Sequence, residues 1–182
     1  MPPPAPPRSL SSIELLFDSA TEAAVRAEWE ALDSAGMSSL AMHTSASNRP
    51  HMTLLARTDL PPLDAHALVE RRSFPITLSA PLLFGTGERR VLARSVVPTA
   101  ELLGVHAAVH AGVAHGDDAP HTAPGVWTPH VTLARRLRTS DLAAALDHLG
   151  GEIHGHAVSL RRWDAGTATV TTIEVFSPSN TG

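Results

Sequence analysis

Two short segments of this chain nearly repeat each other and share the pattern Pro-His-apolar-Thr-Leu, at residues 50–54 and 129–133. Successive side chains of a β-strand point to opposite faces of the sheet. If each segment forms a strand, its His and Thr share one face and its apolar residues share the other. The repeat therefore predicts two strands that present His51, Thr53, His130 and Thr132 to a common cleft.

These four side chains form a chemically complete set. Imidazole has a reference pKa of about 6.5, so its neutral and protonated forms coexist near neutral pH. In-line displacement at phosphorus needs a base on one side and an acid on the other. Threonine hydroxyls can donate hydrogen bonds to non-bridging phosphoryl oxygens. The pattern favours phosphodiester chemistry without a metal, with His51 and His130 as proton carriers and Thr53 and Thr132 as phosphoryl contacts.

The composition excludes several other classes. The 182 residues include no Cys and no Lys, so thiolate chemistry, a Walker-type phosphate loop and a Schiff-base lysine are excluded. The formal net charge is −4, whereas proteins that bind long polyanions are usually basic. We expect a small nucleotide or an RNA end as the ligand, no extended nucleic-acid track and no membrane contact. We also expect a monomer in the cytoplasm.

Turn residues divide the chain into recurring strands and helices. Residues 1–8 read as a disordered Pro-rich leader, 9–177 as one domain of two pseudo-symmetric lobes, and 178–182 as a flexible tail. We predict strands at 12–17, 39–44, 51–57, 74–84, 90–97, 130–137, 156–163 and 169–176. We predict helices at 21–35, 63–72, 99–114 and 140–149, with Thr21 and Thr99 as caps. The fold class is α+β: an internally duplicated, bilobal fold with two antiparallel sheets around a central cleft and helices outside.

The two motifs, His51-Met52-Thr53-Leu54 and His130-Val131-Thr132-Leu133, resemble those of the 2H phosphoesterase superfamily. This superfamily includes the 2′-5′ RNA ligase and cyclic nucleotide phosphodiesterase families. The motifs are 79 residues apart, which suits one lobe-sized repeat, and the resemblance extends over roughly residues 9–177.

The resemblance implies a metal-independent phosphodiesterase that opens a 2′,3′-cyclic phosphate or a related 2′-linked ester of an RNA end or small nucleotide. It implies His51 as the proton donor and His130 as the proton acceptor, although the residues alone allow the reverse assignment. Run backwards, the same groups join a 2′-hydroxyl to a cyclic phosphate, as a 2′-5′ RNA ligase would. It implies no cofactor.

Three further residues are candidate substrate contacts. Trp127 lies three residues before His130 and can stack on a base or pack between the lobes. Arg57 is six residues from His51, about 20 Å along a regular strand. Arg135 is five residues from His130, so strict alternation turns it to the opposite face. Only a bulge or a strand end would bring either arginine to the phosphate.

Two alternatives to this enzyme stay open. One is a nucleotide or RNA-end binding module with the same cleft and no turnover. The other is a zinc hydrolase that uses His106 and His110, which are four residues apart on a predicted helix. Position 107 is Ala, so the glutamate of a His-Glu-x-x-His site is missing.

Overall fold

The computed structural model describes residues 10–68 and 71–179. The predicted leader, and residues 180–182 of the predicted tail, lie outside these ranges. The described residues contain seven strands: β1 (Ser11–Phe17), β2 (His51–Arg57), β3 (Phe74–Phe84), β4 (Arg89–Val96), β5 (His130–Arg138), β6 (Ile153–Asp164) and β7 (Thr169–Val175). The same part of the chain contains three α-helices: α1 (Ser19–Ser34), α2 (Ala100–Ala111) and α3 (Leu142–Asp147).

All strand pairings between these elements are antiparallel, as expected for the α+β class. The strands form one connected sheet in the order β1-β2-β5-β4-β3-β6-β7, whereas we expected two sheets. A further pairing between β1 and β6 closes the first six strands into a ring. The two motif strands, β2 and β5, are neighbours that pair only at Met52 and Val131. This short junction connects the part of the sheet built on β1 to the part built on β4.

Helices α1 and α2 pack against the sheet. On α1 the buried residues recur every three or four positions, which is the pattern of one helix face against a core: Thr21, Val25, Glu28, Trp29 and Leu32. Glu28 and Arg94 of β4 are both buried and form an ion pair, and Nη2 of Arg94 also donates to the carbonyl of Gly150. This buried pair holds α1 against the sheet.

Several predicted boundaries differ from the structure. The helix predicted to begin at Thr21 begins at Ser19, because the carboxylate of Asp18 accepts a 2.8 Å hydrogen bond from the Thr21 amide and caps it. The strand predicted at 39–44 is wrong. This segment forms a 3-10 turn, Leu40–Met42, because the Ser39 hydroxyl accepts from the Ala41 amide. The cap predicted at Thr99 is confirmed.

The helix predicted at 63–72 is also wrong in extent. Only a 3-10 turn, Ala65–Leu68, is present there, and residues 69 and 70 lie outside the described ranges. The helix predicted at 140–149 is shorter in the structure, where a 3-10 turn at Thr139–Asp141 leads into α3. Within the described residues, the helices are all too short or too polar to span a membrane.

Candidate active site

The alternation predicted for the motif strands is present in both. Met52, Leu54, Val131 and Leu133 are fully buried, whereas His51, Thr53, His130 and Thr132 are only partly covered. Extending the antiparallel register from the Met52–Val131 pair places His51 opposite Thr132 and Thr53 opposite His130. We call these four partly covered residues the quartet. In a regular ladder the two histidines would then be diagonal neighbours, about 7 to 8 Å apart.

The two imidazoles are held in the same way. Nδ1 of His51 lies 2.7 Å from the carbonyl oxygen of Arg49, and Nδ1 of His130 lies 2.7 Å from that of Thr128. A carbonyl only accepts, so in each ring Nδ1 carries the hydrogen. Nε2 of each ring is therefore the atom that can accept a proton when neutral or release one when charged.

Their surroundings differ. Oε1 of Glu14 lies 3.5 Å from Nε2 of His51, so this ring forms an ion pair when it is protonated. Phe84 packs against His130, with ring centroids 4.5 Å apart. Burial lowers the pKa of His130, and positive charge on His121 or His51 acts in the same direction, opposed by the hydrogen bond with Thr128. The neutral form of His130 is thereby favoured.

A cavity of about 760 Å³, which we call the cleft, is lined by His51 and Thr53, whereas His130 and Thr132, predicted to share it, are not among its lining residues. Its wall includes Glu14 and Arg161, both buried and opposite one another on β1 and β6. Nε of Arg161 donates a 2.7 Å hydrogen bond to Oε2 of Glu14, and the hydroxyl of Ser12 donates a 2.7 Å bond to Oε1. The carboxylate of Glu14, beside His51, is thus held in place by Arg161 and Ser12. We did not anticipate this arrangement from the sequence.

A β-bulge follows each quartet threonine. On β2 the pairing with β1 skips Leu54, and on β5 the pairing with β4 skips Leu133. A bulge reverses the facing of the residues beyond it. Arg135 therefore lines the cleft and is exposed, although strict alternation predicted the opposite face. The equivalent position on β2, also five residues from the histidine, is Ala56, which lines the cleft too.

The bulge on β2 turns Arg57 away from the face that His51 and Thr53 occupy. This side chain is buried, and its Nε donates a 2.6 Å hydrogen bond to Oδ1 of Asp118 while Nη1 donates to the carbonyl of Ala114. Arg57 does not line the cleft. Arg57, predicted as a candidate substrate contact, is thus paired within the fold and lies outside the cleft lining.

Trp127 also lies away from the cleft. Its Nε1 donates a 3.1 Å hydrogen bond to the carbonyl of Thr53, and its ring stacks on His106 with centroids 4.0 Å apart. Trp29 of α1 makes the equivalent 3.1 Å bond to the carbonyl of Thr132. Each indole thus satisfies a backbone carbonyl beside a bulge, where the ladder is interrupted. Of the two roles predicted for Trp127, the structure shows packing within the fold. Trp163 is the tryptophan that lines the cleft.

The candidate zinc ligands on α2 serve other partners. Nε2 of His106 lies 2.9 Å from the carbonyl of Thr122, and Nε2 of His110 lies 3.2 Å from that of Leu54. Burial lowers the pKa of His106. Among the residues that the structure describes, no three His, Asp or Glu side chains are grouped closely enough to hold a metal ion.

No curated protein sequence matches the chain. The solved structure of Kluyveromyces marxianus Usb1 is similar, with a TM-score of 0.51 and 14% identity over 92% of this chain and 99% of that one. The structure of the same protein with uridine monophosphate gives a TM-score of 0.53 at the same identity and coverage. The sequence model of the 2′-5′ RNA ligase superfamily matches residues 21–182. The chain therefore belongs to the 2′-5′ RNA ligase superfamily.

Proposed function

We propose that this protein is a phosphodiesterase that opens a 2′,3′-cyclic phosphate or a related 2′-linked phosphodiester at an RNA end or on a small nucleotide. The observation that carries the proposal is the quartet, in which two identically held imidazoles and two threonines share one face of two paired strands. Membership of the superfamily supports a phosphoesterase or ligase.

In the proposed reaction a water molecule attacks phosphorus. Nε2 of His130 takes the proton from the water as the new P–O bond forms. Nε2 of His51 gives its proton to the leaving ribose oxygen as the old P–O bond breaks. After one turnover His130 is protonated and His51 is neutral, and exchange of protons with solvent restores both. This acid–base assistance needs no metal ion.

The different surroundings of the two rings support these roles. A base must be neutral, and the lowered pKa of His130 favours its neutral form. An acid must be protonated, and the carboxylate of Glu14 lies where it pairs with a protonated His51. The same assignment follows from the resemblance, so two independent arguments agree.

The remaining groups hold the phosphate. Hydroxyls of Thr53 and Thr132 donate to its non-bridging oxygens, and the exposed guanidinium of Arg135 neutralises its charge. Ligation to a cyclic phosphate uses the same groups: a hydroxyl attacks phosphorus, His130 takes its proton as the new P–O bond forms, and His51 protonates the ribose oxygen that leaves as the cyclic ester opens. Ligation is then the same exchange of P–O bonds with an alcohol in place of water.

The experiment is a hydrolysis assay over cyclic nucleotides, ADP-ribose cyclic phosphate and 2′-5′ dinucleotides, each with and without EDTA. We expect activity on at least one substrate, unchanged by EDTA. We expect His51→Ala and His130→Ala to reduce turnover by about 10² to 10⁴ while staying folded. Loss with EDTA and recovery with zinc would overturn the mechanism. Binding without turnover of any substrate would instead favour the binding module.

A further inference from the structure

A second cavity lies beside the cleft and is lined by four arginines: Arg89, Arg135, Arg136 and Arg138. Its volume is about 520 Å³, and we call it the arginine groove. All four side chains are exposed. The described lining contains a single acidic residue, Asp141. The groove is therefore strongly positive, although the formal charge of the whole chain is −4.

The positive charges of the groove are not balanced within the described part of the fold. Arg89 and Arg138 are directly opposite on β4 and β5, an arrangement of like charges that destabilises a sheet. None of the four arginines is in an ion pair among the described residues, whereas the buried Arg57, Arg94 and Arg161 each have a carboxylate partner. An anion from outside the chain would relieve this repulsion.

The groove is continuous with the cleft. Leu40, His43 and Arg135 line both cavities, so a chain that leaves the cleft beside His51 and Thr53 enters the groove at Arg135. From Arg135 to Arg138 the strand advances about 10 Å. This is the rise of about three stacked nucleotides of one strand. Arginines along this part of β5 can therefore reach several phosphates of one nucleic-acid strand.

From this continuity we infer that the arginine groove binds the phosphate backbone of a single-stranded RNA whose terminal phosphate is in the cleft. The inference rests on the proposed function and names its substrate class as an RNA end, in preference to a mononucleotide. RNA is favoured over other polyanions because the reacting ester contains a 2′-oxygen. The net charge of −4 predicts no extended nucleic-acid track, and the groove corresponds to a short one.

The experiment compares oligoribonucleotides of one, two, four and six residues, each ending in a 2′,3′-cyclic phosphate. For the wild type we expect kcat/KM to rise with length. For Arg136→Gln/Arg138→Gln we expect the mononucleotide to react as in the wild type and the gain with length to fall by about three- to tenfold. The control is Arg72→Gln. This arginine is exposed and precedes β3, whereas Arg89 follows the hairpin at the other end of that strand. Equal gains with length in all three proteins would overturn the inference.

A binding measurement separates this inference from the proposed function. Anisotropy of a labelled hexaribonucleotide with a 3′-phosphate is followed across salt concentrations. Removing two phosphate contacts should reduce the slope of log K against log salt by about 1.4. Wild-type slopes in Arg136→Gln/Arg138→Gln would overturn the groove even if cyclic phosphates are hydrolysed. Reduced slopes without hydrolysis of any substrate would support the groove and overturn the enzyme. Tighter binding of hexaglutamate than of RNA would indicate an acidic protein partner and overturn the RNA assignment.

Discussion

Oε1 of Glu14 lies 3.5 Å from Nε2 of His51, and the other oxygen of the same carboxylate accepts a 2.7 Å hydrogen bond from Arg161. Glu14 and Arg161 are both about 6% exposed, so each charge depends on the other. A buried pair of this kind fixes the carboxylate in place. The imidazole beside it is therefore positioned by two strands, β1 and β2, rather than by its own backbone contact alone.

We predict that Glu14→Gln destabilises the protein by about 3 to 5 kcal/mol, because Arg161 is left buried without its counter-charge. Turnover should fall by about 10- to 100-fold because His51 loses its orientation. The double variant Glu14→Gln/Arg161→Met removes both charges, so urea denaturation should show recovered stability while turnover stays low. Recovery of turnover together with stability would show that Glu14 acts only through folding.

The lowered pKa of His130 predicts where activity is lost in acid. The base must be neutral, and a lowered pKa keeps it neutral to more acidic pH, so kcat/KM should begin to fall only below about pH 6.5. Phe84→Ala lets water reach the ring of His130, so the pH below which kcat/KM falls should rise towards 6.5. Leu83→Ala, an exposed neighbour on β3, is the matched control. An acid limb that is the same in all three proteins would contradict the assignment of His130 as the base.

The alternation of the two motifs was predictable because it is a local property of strands. His and Thr are two residues apart, and the buried Met52 and Val131 between them follow from the same period. Glu14 carried a signal too, since a carboxylate inside the largely apolar strand predicted at 12–17 needs a partner if it is buried. That partner, Arg161, lies 147 residues away, and no local pattern connects the two.

The positions of Arg57 and Arg135 were not predictable from the same period. A bulge is defined by two residues facing one on the partner strand, so it depends on β1 and β4 as much as on the motifs. Side chains beyond each bulge point to the face opposite to the one that strict alternation predicts. Arg135 is therefore directed into the cleft and Arg57 away from it. Trp127 was ambiguous for a similar reason, because its partner, the carbonyl of Thr53, is 74 residues distant.

The two arginines make a matched pair of variants. Arg57→Gln leaves Asp118 without its buried partner, so we predict a loss of about 3 to 5 kcal/mol in the free energy of unfolding. Arg135→Gln changes an exposed side chain, so stability should stay within about 0.5 kcal/mol. Removing this guanidinium should raise the activation free energy by about 1.5 to 3 kcal/mol, because the proposed charged hydrogen bond to phosphate is missing. Denaturation and kcat/KM are measured on both variants. A large loss of stability in Arg135→Gln, with a loss of activity alone in Arg57→Gln, would contradict the roles given to the two arginines.

Thr53→Val and Thr132→Val keep the shape of the strand and remove only a hydroxyl. If both hydroxyls bind the phosphoryl oxygens more strongly as charge develops, each variant should lose about 2 to 4 kcal/mol of transition-state stabilisation, seen in kcat. KM should change less, since a contact made equally in the ground state would raise KM and spare kcat. Thr171→Val, at an exposed position on β7, controls for the substitution itself. If the two threonines contact one phosphate, as proposed, the double variant should lose less than the combined single losses. Fully additive losses would place the two hydroxyls on separate groups and would contradict the quartet as a single phosphate site.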